Sequence, residues 1–213
     1  DTATTLELTQ HAQEAGAYGA AIVTPSFYGY DDAALEAYYK TVAEAFPSFP
    51  IILYNIPSCA GNALSPELIK KLAEAHENIV GIKDSSGSMP LLTRLFGQST
   101  NGFAVINGSD EQGYQALAAG GKAVVSGSSN AYIDIYYELY KQFKKGDLKK
   151  AWKAQLRLER ATRLFVYGGG LGALKEIMRL RGFDPGFVRP PQRELTTAEK
   201  KRLAKGLEEQ GLI

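Results

Sequence analysis

The sequence predicts a parallel α/β fold of the (β/α)8 TIM barrel type, lacking its first strands and carrying a C-terminal helical extension. Three observations predict it. A short apolar run rich in Val and Ile, a loop with Gly, Ser or Pro, and a longer amphipathic stretch recur in that order, the pattern of strand, loop and helix. The apolar runs are too short and too evenly apolar for half-exposed antiparallel strands, and read as parallel strands covered on both faces. No Asn-Gly or Asp-Gly hairpin joins two of them, so the connections are crossovers.

The elements follow in order. The chain opens in a helix over 5–15, with no strand before it. Strands are predicted at 20–24, 51–54, 80–83, 103–106 and 122–126. Between them, Asp31-Asp32 starts a helix over 33–45, Ser65-Pro66-Glu67 starts 68–75, and Pro90 opens 91–96. Asp110 stands where it can cap a helix over 111–119. Beyond Ser126 the pattern is all helical: 133–144, then 148–166 behind Asp147, then 171–180, and 196–207 opened by the capping box Thr196-Thr197-Ala198-Glu199. The barrel portion with its strand ends is therefore 1–130, and the last barrel helix with the extension is 131–213. The rival architecture, an open doubly wound sheet, needs a glycine-rich phosphate turn after its first strand. The nearest match, Gly168-Gly169-Gly170-Leu171-Gly172-Ala173, follows a helix and reads as a helix–helix turn.

Composition narrows the function class. Lys and Arg number 24 against 23 Asp and Glu, a net charge of +1, which supplies no excess to drive binding to nucleic acid or an anionic membrane. A small-molecule partner is expected instead. The single cysteine, Cys59, forms no internal disulfide, and with two histidines it makes a poor ligand supply, so no metal or other cofactor is expected. That usage fits a reducing, cytoplasmic compartment. No apolar run approaches the ~20 residues of a membrane span, and residues 1–5 lack the character of a signal peptide.

In such barrels the reacting groups sit at the C-terminal ends of the strands. Lys83 closes the run Ile79-Val80-Gly81-Ile82, where its position points a long amine toward the barrel mouth, or alternatively pairs it with Asp84. Only a neutral amine attacks a carbonyl, and an apolar site favours that form. Tyr54 ends the preceding strand, about 4.8 Å away across the sheet, and its phenol can donate and accept a proton. The other strand ends supply candidate substrate contacts: Tyr28, Ser85, Gly108, Ser109, Asp110, Val125 and Ser126. Trp152, at helical spacing with Leu148, Ala151 and Leu158, reads as core or subunit interface.

Tyr54-Asn55-Ile56-Pro57, then Gly61, then Gly81-Ile82-Lys83-Asp84-Ser85-Ser86-Gly87, resembles the signature of the dihydrodipicolinate synthase and N-acetylneuraminate lyase superfamily, the class I pyruvate-dependent aldolases. Thr24-Pro25, Gly108-Ser109-Asp110, Gly120-Gly121 and Asn130 extend the match along the chain. The resemblance implies that Lys83 is the Schiff-base lysine and Tyr54 the acid/base tyrosine, and it implies a homotetramer. It also places the family's Gly-Thr-Thr-Gly-like loop, which binds the pyruvoyl carboxylate, outside this sequence.

One departure bears on which member this is, and a second bears on the proton relay and so on the activity itself. Synthases of dihydrodipicolinate carry an arginine soon after the Tyr-Asn-x-Pro stretch, and here that position is Cys59, which offers no bidentate fork to a carboxylate. The family's tyrosine two residues after the Pro of Thr24-Pro25, lent to a neighbouring subunit, is here Phe27, followed by Tyr28. Asp84-Ser85, Gly108-Ser109-Asp110, 182–186 and Arg189-Pro190-Pro191 look more like the archaeal-type 2-keto-3-deoxygluconate aldolases. The expected activity is thus cleavage of a 2-keto-3-deoxy sugar acid to pyruvate and an aldehyde, with Ser109 and Asp110 on sugar hydroxyls. A dihydrodipicolinate synthase, a keto-acid-sugar dehydratase and a catalytically silent barrel relative stand as alternatives.

Overall fold

A computed structural model describes residues 1–98, 102–167 and 169–213. The chain divides into two compact units, Asp1–Val125 and Ser126–Ile213.

The first unit alternates helix and strand. Asp1 accepts a hydrogen bond from the Thr4 amide at 2.9 Å and so starts α1 (Thr2–Glu14) three residues before the predicted helix. β1 (Ala20–Val23) leads to α2 (Asp32–Ala45), capped by Asp31 as the sequence predicts. β2 (Ile51–Asn55) is followed by a single turn, α3 (Pro57–Ala60), that periodicity could not reveal because it is one turn long. Ser65 caps α4 (Pro66–Ala75), with the proline in the first turn where its missing N–H is harmless. β3 (Ile79–Asp84) precedes α5 (Met89–Gln98), whose start is held by Ser88, the Leu91 amide donating to its Oγ at 3.2 Å, rather than by Pro90. Next come β4 (Ala104–Asn107), a 3-10 turn (Asp110–Gln112), α6 (Gly113–Ala118) and the two-residue strand β5 (Ala123–Val124).

The strands form one parallel sheet in the order β1-β2-β3-β4-β5. Sequence order and spatial order coincide, the arrangement in which each crossover helix returns the chain one strand along. The helices lie against one face. Ile22, Leu53, Ile82 and Val105 are register partners on that face, all buried, and form a single core with Leu35, Tyr39, Val42, Leu68, Leu72 and Leu92 from the helices. The expectation of even burial holds for β2 and β3, which expose no residue, but not for β1 and β4, where Ala21, Val23 and Ala104 are exposed. Gly81 lets β3 and β4 approach, since a Cβ there would lie 2.5 Å from the Ala104 carbonyl oxygen.

The second unit is helical among the described residues. α7 (Ser129–Lys144) and α8 (Leu148–Thr162) are followed by a 3-10 turn (Arg163–Tyr167), α9 (Leu171–Leu180) and α10 (Thr197–Glu209). The predicted continuous helix to 166 thus tightens after Thr162. Gly168 of the glycine-rich turn lies outside the described residues, while Gly169 and Gly170 take positive φ ahead of α9, as a helix–helix turn requires. The capping box at Thr196 forms as predicted, and Arg193 adds two 2.8 Å bonds to the Glu199 carboxylate, holding it well below the usual carboxylate range at about 2. Trp152 is exposed on α8, so the core reading of that residue fails; the helix buries Ala151, Ala154 and Leu158 on another face. Among the described residues no helix is long and apolar enough to cross a membrane.

Candidate active site

Strand alternation puts successive rows of the sheet on opposite faces. One residue beyond the buried row, Val23, Tyr54, Lys83 and Ile106 are register partners on the face turned away from the helices. Tyr54 and Lys83 are therefore direct neighbours, both half-buried. The Lys83 amine lies over the face of the Tyr54 ring, 4.0 Å from its centroid. A cation in that position is attracted by the ring's negative face while keeping its protons free to turn outward.

The next row is polar and buried. Asn55, Asp84 and Asn107 are register partners, each no more than 1 % exposed. Asn55 Nδ2 donates to Asp84 Oδ1 at 2.7 Å, and the Leu64 amide donates to Asn55 Oδ1 at 3.0 Å. The Ser86 hydroxyl donates to Asp84 Oδ2 at 2.9 Å. Asp84 is thus bound by its own strand end and by β2, and the alternative pairing with Lys83 is not formed. In a buried site each of these groups must be matched, because an unpartnered one loses its water without compensation.

The same network sets the loops. The Ser85 amide donates to the Asn55 carbonyl at 2.8 Å and the Gly108 amide to the Asp84 carbonyl at 2.7 Å. Gly108 approaches so closely that a Cβ would lie 2.0 Å from Ser85 Oγ, so glycine there brings the Ser85 hydroxyl against the loop after β4. Asn107 folds that loop back, its Nδ2 donating to the Ser109 carbonyl at 2.7 Å. Gln112 Nε2 donates to the Gly87 carbonyl at 2.5 Å and ties the two loops together. Ser85, Gly108, Ser109 and Asp110 therefore gather at adjoining strand ends. Asp110 is not the N-cap of a helix over 111–119: it opens the 3-10 turn, with Ser109 in the capping position, and regular helix begins at Gly113.

Val125 follows β5, its amide donating to the Asn107 carbonyl at 2.9 Å and its side chain exposed. Ser126 opens the second unit, where its Oγ accepts from the Ser128 amide and lies 3.1 Å from Ser128 Oγ, which is 2.7 Å from the Tyr136 hydroxyl. Cys59 is exposed on α3.

Tyr28 lies in the loop after β1, beside Phe27, their rings edge to face with centroids 4.9 Å apart. Both are largely exposed, and Phe27 adopts φ +83, a backbone conformation strained for any residue but glycine. Sequence reasoning missed what holds this loop. Buried Asn62 donates from Nδ2 to the Pro25 and Tyr28 carbonyls, both at 2.8 Å, and its Oδ1 accepts from the Tyr30 amide at 2.7 Å. Its only signal was its place after Gly61, which reads as an ordinary turn. Asn62→Ala is expected to lower stability by about 2 to 3 kcal/mol and to free the loop, because three hydrogen bonds disappear and part-buried backbone groups lose their partner. Chemical denaturation of the pair checks this; an unchanged midpoint overturns it.

Among the described residues no group of three or more His, Cys, Asp and Glu is placed to hold a metal ion. The model of the dihydrodipicolinate synthetase family matches residues 1–210. The chain is 33% identical to a 4-hydroxy-tetrahydrodipicolinate synthase of Methanococcoides burtonii, over all of this chain and 73% of that protein. It is 35% identical to an uncharacterised DapA-like lyase of Pyrococcus horikoshii over 87% of this chain and 66% of that one. Among solved structures it matches YagE of Escherichia coli K12, a member of the dihydrodipicolinic acid synthase family in complex with pyruvate, with a TM-score of 0.92 at 30% identity, covering 100% of this chain and 73% of that one. Dihydrodipicolinate synthase of Thermotoga maritima matches at 0.91 and 27% identity, again over 100% of this chain and 73% of that one. With its parallel barrel-type sheet and the matched residues, the chain belongs to the dihydrodipicolinate synthetase family, within the superfamily of class I pyruvate-dependent aldolases and lyases.

Proposed function

We propose that this chain is a Schiff-base-forming lyase that reversibly cleaves a 2-keto-3-deoxy sugar acid to pyruvate and an aldehyde, without metal or organic cofactor. The observation that carries the proposal is the Lys83 amine held over Tyr54 at adjacent strand ends. The neutral Lys83 amine adds to the C2 carbonyl, and loss of water leaves a protonated imine that accepts electrons. Tyr54 takes the proton of the C4 hydroxyl as the C3–C4 bond breaks, releasing the aldehyde. Its electron pair forms the enamine of pyruvate, which is protonated at C3 and hydrolysed to free Lys83. Ser85, Gly108, Ser109, Asp110, Val125 and Ser126 are the proposed substrate contacts. Tyr28, with Phe27, is the aromatic pair offered to a second copy in a homotetramer. Incubation with pyruvate and borohydride followed by peptide mass analysis tests the imine: a reduced adduct on Lys83 is expected, and a folded protein with no adduct, or one on another lysine, overturns it.

The names of several relatives favour a second reading, synthesis of 4-hydroxy-tetrahydrodipicolinate from pyruvate and a semialdehyde. Cys59 opposes it, because an exposed thiol supplies no charged fork for a second carboxylate. The chain should therefore prefer glyceraldehyde over aspartate semialdehyde as the partner of pyruvate, and Cys59→Arg should raise activity with the semialdehyde by about 10- to 150-fold, the worth of a charge-assisted pair of ~1.5 to 3 kcal/mol. Assay of both aldehydes on parent and variant decides; a parental preference for the semialdehyde would establish the synthase.

A further inference from the structure

α7 and α8 border an open groove of about 370 Å³ in the helical unit, none of whose lining residues belongs to the candidate active site. Its volume falls in the range of small-molecule sites. One wall is cationic: Lys150, Lys153, Arg157 and Arg160 recur every three or four residues, which places them on one face of α8. The stripe is local, since the whole chain carries a net charge of only +1. Lys150 is paired with Asp147 at 2.9 Å, but among the described residues Lys153, Arg157 and Arg160 form no ion pair. Arg157 also reaches the Gly211 carbonyl at 3.3 Å, which leaves most of its guanidinium donors available. Ile135 and Ala154 line the groove with apolar surface. Among the lining residues the acid is Glu138, which attracts Lys150 and accepts from Gln142 Nε2 at 2.7 Å, and Asp134 of α7 acts on Arg157 from outside the lining while it is itself paired with Arg181 at 2.9 Å.

We propose that this groove binds a small molecule bearing at least two linked phosphate groups. Lys150 to Arg160 spans ten residues, about 15 Å of helix, so one compact anion meets only two neighbouring cations while a diphosphate engages three. Two of the four cations are arginines, whose planar forks suit phosphate oxygens. The apolar lining accepts an organic portion. The ligand's source is separable by probe: ADP represents a nucleotide and inorganic pyrophosphate a free polyphosphate.

Calorimetric titration of the whole chain with each probe at low ionic strength tests the site. Saturable one-to-one binding of ADP or pyrophosphate is expected, weakened about tenfold or more in Lys153→Glu/Arg157→Glu. The same charge change at exposed Lys201 and Arg202 on α10 should leave binding unaltered. Should the reversed pair fail to fold by circular dichroism, Lys153→Gln/Arg157→Gln serves in its place. Absence of binding by both probes, unchanged binding in the groove variant, or an equal loss in the α10 variant overturns the proposal. The outcome is independent of the imine chemistry, because no readout uses turnover.

Discussion

Lys83→Ala should abolish turnover and borohydride trapping together, while the protein stays folded. The side chain is half-buried on the face away from the helices, so truncation opens no cavity in the core beneath Ile82. What it removes is the only group in its row able to form an imine: Val23, Tyr54 and Ile106 carry no amine. Without the protonated imine, C3–C4 cleavage has to proceed through the enolate of pyruvate, for which the neutral C2 carbonyl is a much weaker electron sink. Turnover within tenfold of the parent would sink the mechanism. A loss of activity with parental trapping would instead move the nucleophile to another lysine, so the two readouts are read together.

Tyr54→Phe should lower kcat by ~10² to 10⁴, the usual worth of a positioned proton transfer, while pyruvate trapping on Lys83 persists. Phenylalanine keeps the ring beneath the Lys83 amine, so the cation–ring contact survives and only the hydroxyl is lost. That separation makes the variant informative. If the phenol served only to seat the amine, activity would be retained within tenfold. If it carries the proton, the loss falls on kcat and the imine still forms. A small effect would pass the acid/base role to Tyr28.

Much of this arrangement was legible in the sequence because it rests on strand periodicity. The run 79–82 is short and apolar and closes at Lys83, and 51–54 ends in Tyr54, so parallel pairing alone makes the two neighbours. Helix starts at Asp31, Ser65, Asp147 and Thr196 were legible because each cap is a contact three residues long. What stayed hidden depends on contacts distant in the chain. Asn62 acts on a loop more than thirty residues away, and nothing about a Gly-Asn pair announces that. Asp110 looked like a helix cap because Asp is a common one, yet the Asn107 side chain folds the loop first and makes it a 3-10 turn. The strand predicted over 122–126 shrinks to two residues because it pairs only with Ile106 and Asn107.

The buried amide of Asn55 divides the site into parts that tolerate change differently. It donates to Asp84 and accepts from Leu64 with no atom to spare, so aspartate would set two carboxylates against each other and alanine would strand two polar groups away from water. Four residues later Cys59 sits in solvent on α3, where side chains of many sizes fit. Mutational drift is therefore confined at 55 and open at 59. If the chain acts as proposed, its choice of aldehyde can diversify through single exchanges on that one exposed turn while the amine and phenol on β3 and β2 keep their spacing.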